Sequence, residues 1–268
     1  MFIALTVILV PFLLYFFALS GRGGKSRFDG LYGFDIAHRG LHDKPNIPEN
    51  SMPAFKRAVD KGYGIELDVH LLADGELAVF HDNTLDRTTG KTGNIKDLTA
   101  AELKNYKLEE SDENIPLFCE VLKLVDGKVP LIIELKTEGN SPRLCEAVME
   151  ALTDYEGAYC IESFDPRPLM WLKKHRPDIT RGQLSQNFIK EKSGLSLPLR
   201  VVLTSLVLNF LTAPDFIAFK FSDRKLISNQ ISTKVLGLQP VCWTIKNIED
   251  HNTAKAEGYI SIFEQFEP

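Results

Sequence analysis

Apolar and polar positions along the chain fall into short blocks that alternate between two periods. Runs rich in β-branched and aromatic residues, the mark of strands, occur at 34–38, 63–68, 129–135, 158–162, 179–184, 215–221, 238–244 and 259–264. Most are separated by amphipathic stretches. Residues 51–61 set Ala54, Phe55, Ala58 and Val59 on one helical face behind a capping Asn50 or Ser51. Residues 141–153 do the same with Leu144, Val148, Met149 and Leu152, and residues 166–175 with Leu169 and Leu172. Eight strands interleaved with helices over about 235 residues predict an α/β fold, a parallel (β/α)8 TIM barrel. An open doubly wound sheet fits less well, because no glycine-rich phosphate loop follows the first strand. The connection 82–117, with a short helical piece near 100–106, exceeds an ordinary βα loop and would sit at the rim of the barrel where chemistry is found.

Residues 2–19 break this rhythm with an apolar run that carries no charge and is interrupted only by Pro11. As a helix it would extend roughly 27 Å at ~1.5 Å per residue, which predicts an N-terminal transmembrane helix ahead of the barrel. Arg22, Lys25 and Arg27 follow at once, and basic flanks favour the cytoplasmic side. A cleaved signal peptide is the rival, since Ala18-Leu19-Ser20 has small residues at suitable spacing; such peptides, however, begin with a basic segment and have a shorter apolar core. The expected organisation is a transmembrane anchor at 1–20, a Gly- and Arg/Lys-rich linker at 21–33, and the barrel domain at 34–268. A second apolar stretch, 201–211, reads either as an outer barrel helix covered by its neighbours or as a surface helix dipping into the membrane. It is too short and too close to Pro214 to span one.

Composition adds mainly exclusions. With 44% hydrophobic and 25% charged residues the chain is of ordinary globular make-up, and a net charge of −5 gives no electrostatic case for nucleic acid. Cys119, Cys145, Cys160 and Cys242 are widely spaced without a C-x-x-C pair, a pattern that speaks against a disulfide framework or zinc site and predicts buried free thiols, in keeping with a reducing compartment.

Two strand ends carry the chemistry: Ile65-Glu66-Leu67-Asp68 and Ile133-Glu134-Leu135-Lys136. Period-two alternation turns Glu66 and Asp68 the same way on their strand, and Glu134 and Lys136 the same way on theirs. Acids facing inward from apolar strands repel unless a cation lies between them, and an all-oxygen donor set suits one divalent ion of the Mg, Ca or Mn kind. His38-Arg39-Gly40 closes the first strand and His81-Asp82 follows Leu77-Ala78-Val79-Phe80. Two histidines with three carboxylates suit phosphoryl transfer, one imidazole taking a proton and the other giving one, with a guanidinium for the phosphate. Bland alternatives stand beside these. Trp243 is equally a core aromatic, and Arg87 equally a loop tether. His42, His70, His175 and His251 read as surface or structural, although His70 shares the face of Asp68.

The ordered set of fragments resembles the glycerophosphodiester phosphodiesterase family. It comprises His38-Arg39-Gly40, Pro48-Glu49-Asn50-Ser51 with Ala54-Phe55, Glu66-Leu67-Asp68-Val69, Asp74-Gly75, His81-Asp82, Leu85-Asp86-Arg87-Thr88-Thr89, Glu134-Leu135-Lys136, Ser163-Phe164-Asp165 and Trp243-Thr244. The resemblance implies a TIM barrel that uses a divalent metal to hydrolyse glycerophosphodiesters to sn-glycerol 3-phosphate and an alcohol. It implies metal carboxylates at Glu66, Asp68 and Glu134, an acid/base pair at His38 and His81, and substrate contacts at Arg39, Lys136 and Trp243. Glu49 and Asn50 match as well, as substrate contacts or as loop-shaping residues. Water and the glycerol 2-hydroxyl are both open as nucleophile. The implied partner is a small or lipid-derived phosphodiester; the apolar stretches, apart from the resemblance, add the membrane through the N-terminal helix and, on one of the two readings of 201–211, through that segment as well. The apolar stretches motivate a lysophospholipase D as the alternative. A non-catalytic binding module is a further alternative, against which the intact histidine pair argues. One departure from the family pattern is the last strand, Ile260-Ser261-Ile262-Phe263-Glu264-Gln265-Phe266, which lacks the usual aspartate-containing turn.

Overall fold

A computed structural model of the chain describes residues 2–23, 28, 30–43, 46–137, 139, 141–192 and 194–268; Lys25 and Arg27 of the expected basic flank lie outside them. The described strands are β1 (Ile36–His38), β2 (Gly64–Leu71), β3 (Leu77–Val79), β4 (Leu131–Leu135), β5 (Tyr159–Ser163), β6 (Arg181–Ser185), β7 (Phe216–Lys220), β8 (Gln239–Ile245) and β9 (Ile260–Phe263). Strands β1, β2, β4, β5, β6, β7, β8 and β9 pair in parallel in that order, and β9 pairs back onto β1. The sheet is therefore a closed eight-stranded parallel barrel, as the alternation predicts. One strand was not expected: β3 lies antiparallel on β2, Val69 opposite Val79, behind a tight turn at Gly75.

The helices are α1 (Phe2–Ala18), α2 (Met52–Lys61), α3 (Asp86–Thr89), α4 (Ala100–Leu103), α5 (Phe118–Val125), α6 (Ser141–Ala151), α7 (Pro166–His175), α8 (Leu197–Thr204), α9 (Asn209–Thr212), α10 (Ile227–Gln230) and α11 (Ile248–Ala256). Their boundaries have local causes. Helix α2 starts where the Ser51 hydroxyl accepts from Ala54 N and stops at Gly62, whose φ of 74° releases the chain from the helix. Asp165 caps α7 by accepting from Arg167 N at 2.9 Å, and Asn247 caps α11 by accepting from Asp250 N at 2.8 Å. Two apolar layers result. Ile36, Ile132, Cys160, Phe216 and Val241 fill the barrel interior, while Ile65, Leu67 and Ile133 on alternate positions pack outward against Phe55 and the other helices. The connection 82–117 builds a small core of its own from Leu85, Ile95, Leu103 and Ile115 packed on Phe80.

The N-terminal expectation needs correction. Helix α1 has 17 residues, about 25 Å at ~1.5 Å per residue, and no described helix is long and apolar enough to cross a membrane. The apolar run ends on the barrel: Leu19 is buried, Tyr15 Oη donates to Ser205 O at 3.3 Å, and the Phe17 and Phe210 rings lie 5.7 Å apart. Arg22 donates to Ile179 O at 2.7 Å and pairs with Asp215, and Phe28 and Leu31 reach the interior layer. Leu13, Leu14 and, apart from its Phe210 contact, Phe17 remain exposed. The stretch 201–211 divides into α8 and α9 at Leu206, whose φ is 58°. Leu206 and Asn209 are buried while Val201 and Phe210 are exposed, so the segment is partly covered and partly open. Cys145, Cys160 and Cys242 are buried free thiols as expected, but Cys119, on the outer face of α5, is exposed.

Candidate active site

The pleat of β2 turns Glu66 and Asp68 into the barrel, and parallel register sets Asp68 beside Glu134 of β4 and Glu66 beside His38 of β1. Glu66, Asp68 and Glu134 are at most 7% exposed, and one carboxylate oxygen from each lies within 4.8 Å of the other two. The sequence-predicted carboxylate cluster thus forms on adjacent strands. Burial first, then Asp68, Glu134 and Glu162, push the Glu66 carboxyl well above the usual range against the pull of Arg39. Burial also raises Glu134, although Lys136 opposes it. Asp68 behaves oppositely. Burial would raise it, but Lys136, His81 and Arg39, with a hydrogen bond from Asn50, hold it far below its ordinary value.

Two cations lie beside the cluster. Lys136 Nζ is 3.0 Å from Asp68 Oδ1 and 2.8 Å from Glu134 Oε1, which holds its ammonium well above the usual lysine value despite burial. Arg39 leaves β1 with a φ of 56°, uncommon for a residue with a Cβ, and this turn aims its backbone N–H at Glu66 Oε2, 3.0 Å away. Its Nη1 donates to Glu49 Oε1 at 2.6 Å, and its Nε lies 3.7 Å from Asp68 Oδ2. Gly40 completes the turn at φ 76°, where a Cβ would stand 2.9 Å from the Ala54 carbonyl carbon. The residues present fit a divalent cation. The donors are hard oxygens, they converge, and burial with the neighbouring acids already lifts two of the three carboxyls, a strain that a cation between them would relieve.

Each histidine is steadied by a carboxylate that the strand pattern alone did not single out. His38 Nδ1 is 2.6 Å from Glu264 Oε2, and Glu264 also lies 2.7 Å from Lys246 Nζ and 3.7 Å from His42 Nε2. His42, expected to be without partners, therefore belongs to this group. Burial would raise Glu264, but His38, His42 and Lys246 hold it far below the usual range. A charged carboxylate only accepts, so Nδ1 of His38 carries the proton and Nε2 is the free lone pair. Burial lowers the pKa of His38, with Glu264 resisting. His81 follows β3 rather than a barrel strand, and Phe80 N donates to Asp68 O at 3.0 Å, which pins the β3 hairpin over the three clustered carboxylates. His81 Nδ1 is 2.5 Å from Asp82 Oδ1, and Asp82 accepts from Arg87 Nε at 2.6 Å. Arg87 also donates to Glu49 at 2.6 Å, so it ties the long loop to the rim and is not aimed at the cavity. Asn50 Nδ2 donates to Asp68 Oδ2 at 2.8 Å, which makes Glu49 and Asn50 shapers of the site.

A cavity of about 100 Å³ opens over this cluster, lined among others by His38, Arg39, His81, Glu134 and Trp243. Lys136 lies behind it and lines a neighbouring cavity of about 190 Å³ with His70. His70 is buried, its Nε2 is 3.4 Å from His81 O, and burial with Lys136 takes its pKa down to about 4. A larger groove of about 430 Å³ around Cys119 and Tyr155 lies between α5 and the end of α6 and gathers no comparable acid/base set. Glu162 was missed: it lies on β5 beside Glu134, is 1% exposed, and lines the 100 Å³ cavity. Burial, Glu134 and Asp68 push its carboxyl well above the usual range. The signal was in the alternation, since Cys160 and Glu162 share the inward face of β5.

Residues 38–264, the span from the first site histidine to Glu264, match the model of the glycerophosphoryl diester phosphodiesterase family. The chain belongs to that family. A glycerophosphodiester phosphodiesterase of Caldanaerobacter subterraneus subsp. tengcongensis is 42% identical over 175 residues, covering 60% of this chain and 70% of the relative. One from Bacillus altitudinis is 37% identical over 168 residues, covering 58% and 68%. Among solved structures, an Oleispira antarctica phosphodiesterase in complex with its product sn-glycerol 3-phosphate superposes with a TM-score of 0.71 at 24% identity, covering 86% of this chain and 92% of that one. This family of phosphodiester hydrolases is therefore the enzyme class of the chain.

Proposed function

We propose that the chain hydrolyses glycerophosphodiesters to sn-glycerol 3-phosphate and an alcohol, with one divalent ion (Mg, Ca or Mn) held by Glu66, Asp68 and Glu134. The observation that carries this reading is the convergence of three buried carboxylates beside a cavity lined by both histidines. When bound, the ion would supply Lewis-acid stabilisation of the phosphate's developing charge. Arg39 binds and orients a non-bridging phosphate oxygen from the rim, and Lys136 balances the charge of Asp68 and Glu134. His38 and His81 divide the proton transfers, each presenting Nε2 because a carboxylate holds Nδ1. Trp243 walls the substrate side. The sn-glycerol 3-phosphate in the Oleispira antarctica structure supports this choice of product. Phosphorus NMR of a reaction with glycerophosphocholine tests it. The expected products are sn-glycerol 3-phosphate and choline, stopped by chelator and reduced by about 10²- to 10⁴-fold in His38→Ala; phosphocholine as product, or full turnover by His38→Ala, contradicts the reading.

The exposed apolar side chains of α1 and α8, Leu13, Leu14, Phe17, Leu197 and Val201, favour a second reading in which the substrate is presented at a lipid surface. In that case lysophospholipids are cleaved by the same groups as in a lysophospholipase D. Arg22, Lys25 and Arg27 after the apolar run favour the anionic cytoplasmic leaflet, and so a cytoplasmic face for the domain 34–268 that follows the apolar segment 1–20 and the connection 21–33. Flotation with liposomes, and lysolipid rates with and without residues 1–27, test the association. Equal rates and no flotation contradict it, and catalysis confined to the cell exterior contradicts the assigned side.

A further inference from the structure

The acid/base and metal groups leave one part of the cavity without an assignment. Glu162 on β5, Phe164 just beyond it, Leu184 on β6 and Trp243 on β8 line that part. Glu162 is 1% exposed and its Oε2 has no hydrogen-bond partner; Trp243 Nε1 is likewise buried and unpartnered. Buried polar atoms are almost always satisfied, and a lone unmet acceptor or donor costs about 1–3 kcal/mol. Two of them on one small cavity beside a catalytic cluster point to a ligand that satisfies both. The ligand must offer a donor to a carboxyl oxygen and an acceptor to an indole N–H, and a hydroxyl does both. Between them stand apolar surfaces, with Phe164 packed edge-on to Trp243 at 5.7 Å and Leu184 beside it, suited to the carbon skeleton that carries those hydroxyls.

We propose that Glu162 and Trp243 form the hydroxyl-recognising subsite of this enzyme, holding the free hydroxyls of the glycerol moiety while Arg39 holds the phosphate. This rests on the reading of the chain as a glycerophosphodiester hydrolase. Glu162 accepts from a glycerol hydroxyl through Oε2 whether its carboxyl is charged or neutral, and Trp243 Nε1 donates to one. The subsite discriminates a polyol phosphate from a plain alkyl phosphate. A site built to hydrogen-bond a hydroxyl rejects the analogue that lacks it, because its own polar atoms are then left unmet.

Calorimetric binding to the full, metal-loaded chain separates the possibilities, with sn-glycerol 3-phosphate and ethyl phosphate as probes. Wild type binds sn-glycerol 3-phosphate the more tightly. Glu162→Leu and Trp243→Phe each lose roughly tenfold or more of that preference, while Glu162→Gln, which keeps a side-chain acceptor, retains it within about threefold. The carboxamide variant preserves the shape of the side chain, so its retained preference shows that the leucine loss is not a folding failure. A Glu162→Leu protein that keeps the wild-type preference overturns the subsite and leaves the hydrolase reading standing. A wild type that binds neither phosphate overturns the reading on which the subsite depends.

Discussion

Glu264 shows how a single side chain can set the state of another. Its carboxylate, held charged by His38, His42 and Lys246, accepts from His38 Nδ1 and so leaves Nε2 as the lone pair that meets the reaction. Glutamine at 264 can turn its amide N–H toward Nδ1 and permit the other tautomer. Glu264→Gln should therefore lower kcat by about 10- to 100-fold with a smaller change in KM, measured by steady-state kinetics on glycerophosphocholine. The same substitution has a pH signature. The folded-state pKa of Glu264 lies below its unfolded value, so its stabilisation is complete above about pH 4.3 and is lost as pH falls. The stability gap between wild type and Glu264→Gln, measured by denaturant unfolding, should narrow as pH drops below that point; a constant gap contradicts the assignment. The positions of Glu66, Asp68, Glu134 and His38 were legible in the sequence because strand alternation alone fixes which way they face. The partners Glu264 and Asp82 were not, because a carboxylate's partner depends on which strands and turns become neighbours. Arg87 reads from sequence equally as a loop tether and as a phosphate contact, and only the fold shows that Glu49 and Asp82 occupy it.

At the scale of elements, the turn after β1 positions the most chemistry with the fewest residues. Arg39 and Gly40 both take positive φ, which brings the Arg39 N–H onto Glu66 and the guanidinium beside Asp68. Gly40→Ala puts a Cβ into left-handed backbone and 2.9 Å from Ala54, with an expected cost of about 1–3 kcal/mol and a melting temperature several degrees lower by calorimetry. An unchanged melting temperature would show that the turn relaxes freely. The barrel strands and the helices α2, α6 and α7 could be read from periodicity because each buries one face against the next layer. Strand β3 could not: three residues are too few to display a period, and its pairing follows from the turn at Gly75 that folds it onto β2. Without β3, His81 would have no fixed place over the carboxylates.

The whole molecule is a closed parallel barrel whose acids converge at one end, the rim where the βα loops gather, while α1 rests its last turn against α9. The uncharged apolar run and its helical length made residues 2–19 look like a span, whereas α1 stops at 17 residues and its C-terminal turn is committed to Ser205 and Phe210. Sequence patterns report burial, but not whether protein or lipid provides it. The central claim concerns the barrel's acidic centre, where Glu66, Asp68 and Glu134 are to hold an ion that the reaction requires. It is tested most directly by stripping the full chain with chelator and titrating Mg²⁺, Ca²⁺ and Mn²⁺ back, following ion binding by calorimetry and sn-glycerol 3-phosphate release in parallel. One ion should bind per chain and restore activity in proportion, and Glu66→Gln should weaken both together by about tenfold or more. Full activity in the stripped protein, or ion binding unaffected by Glu66→Gln, would contradict the account.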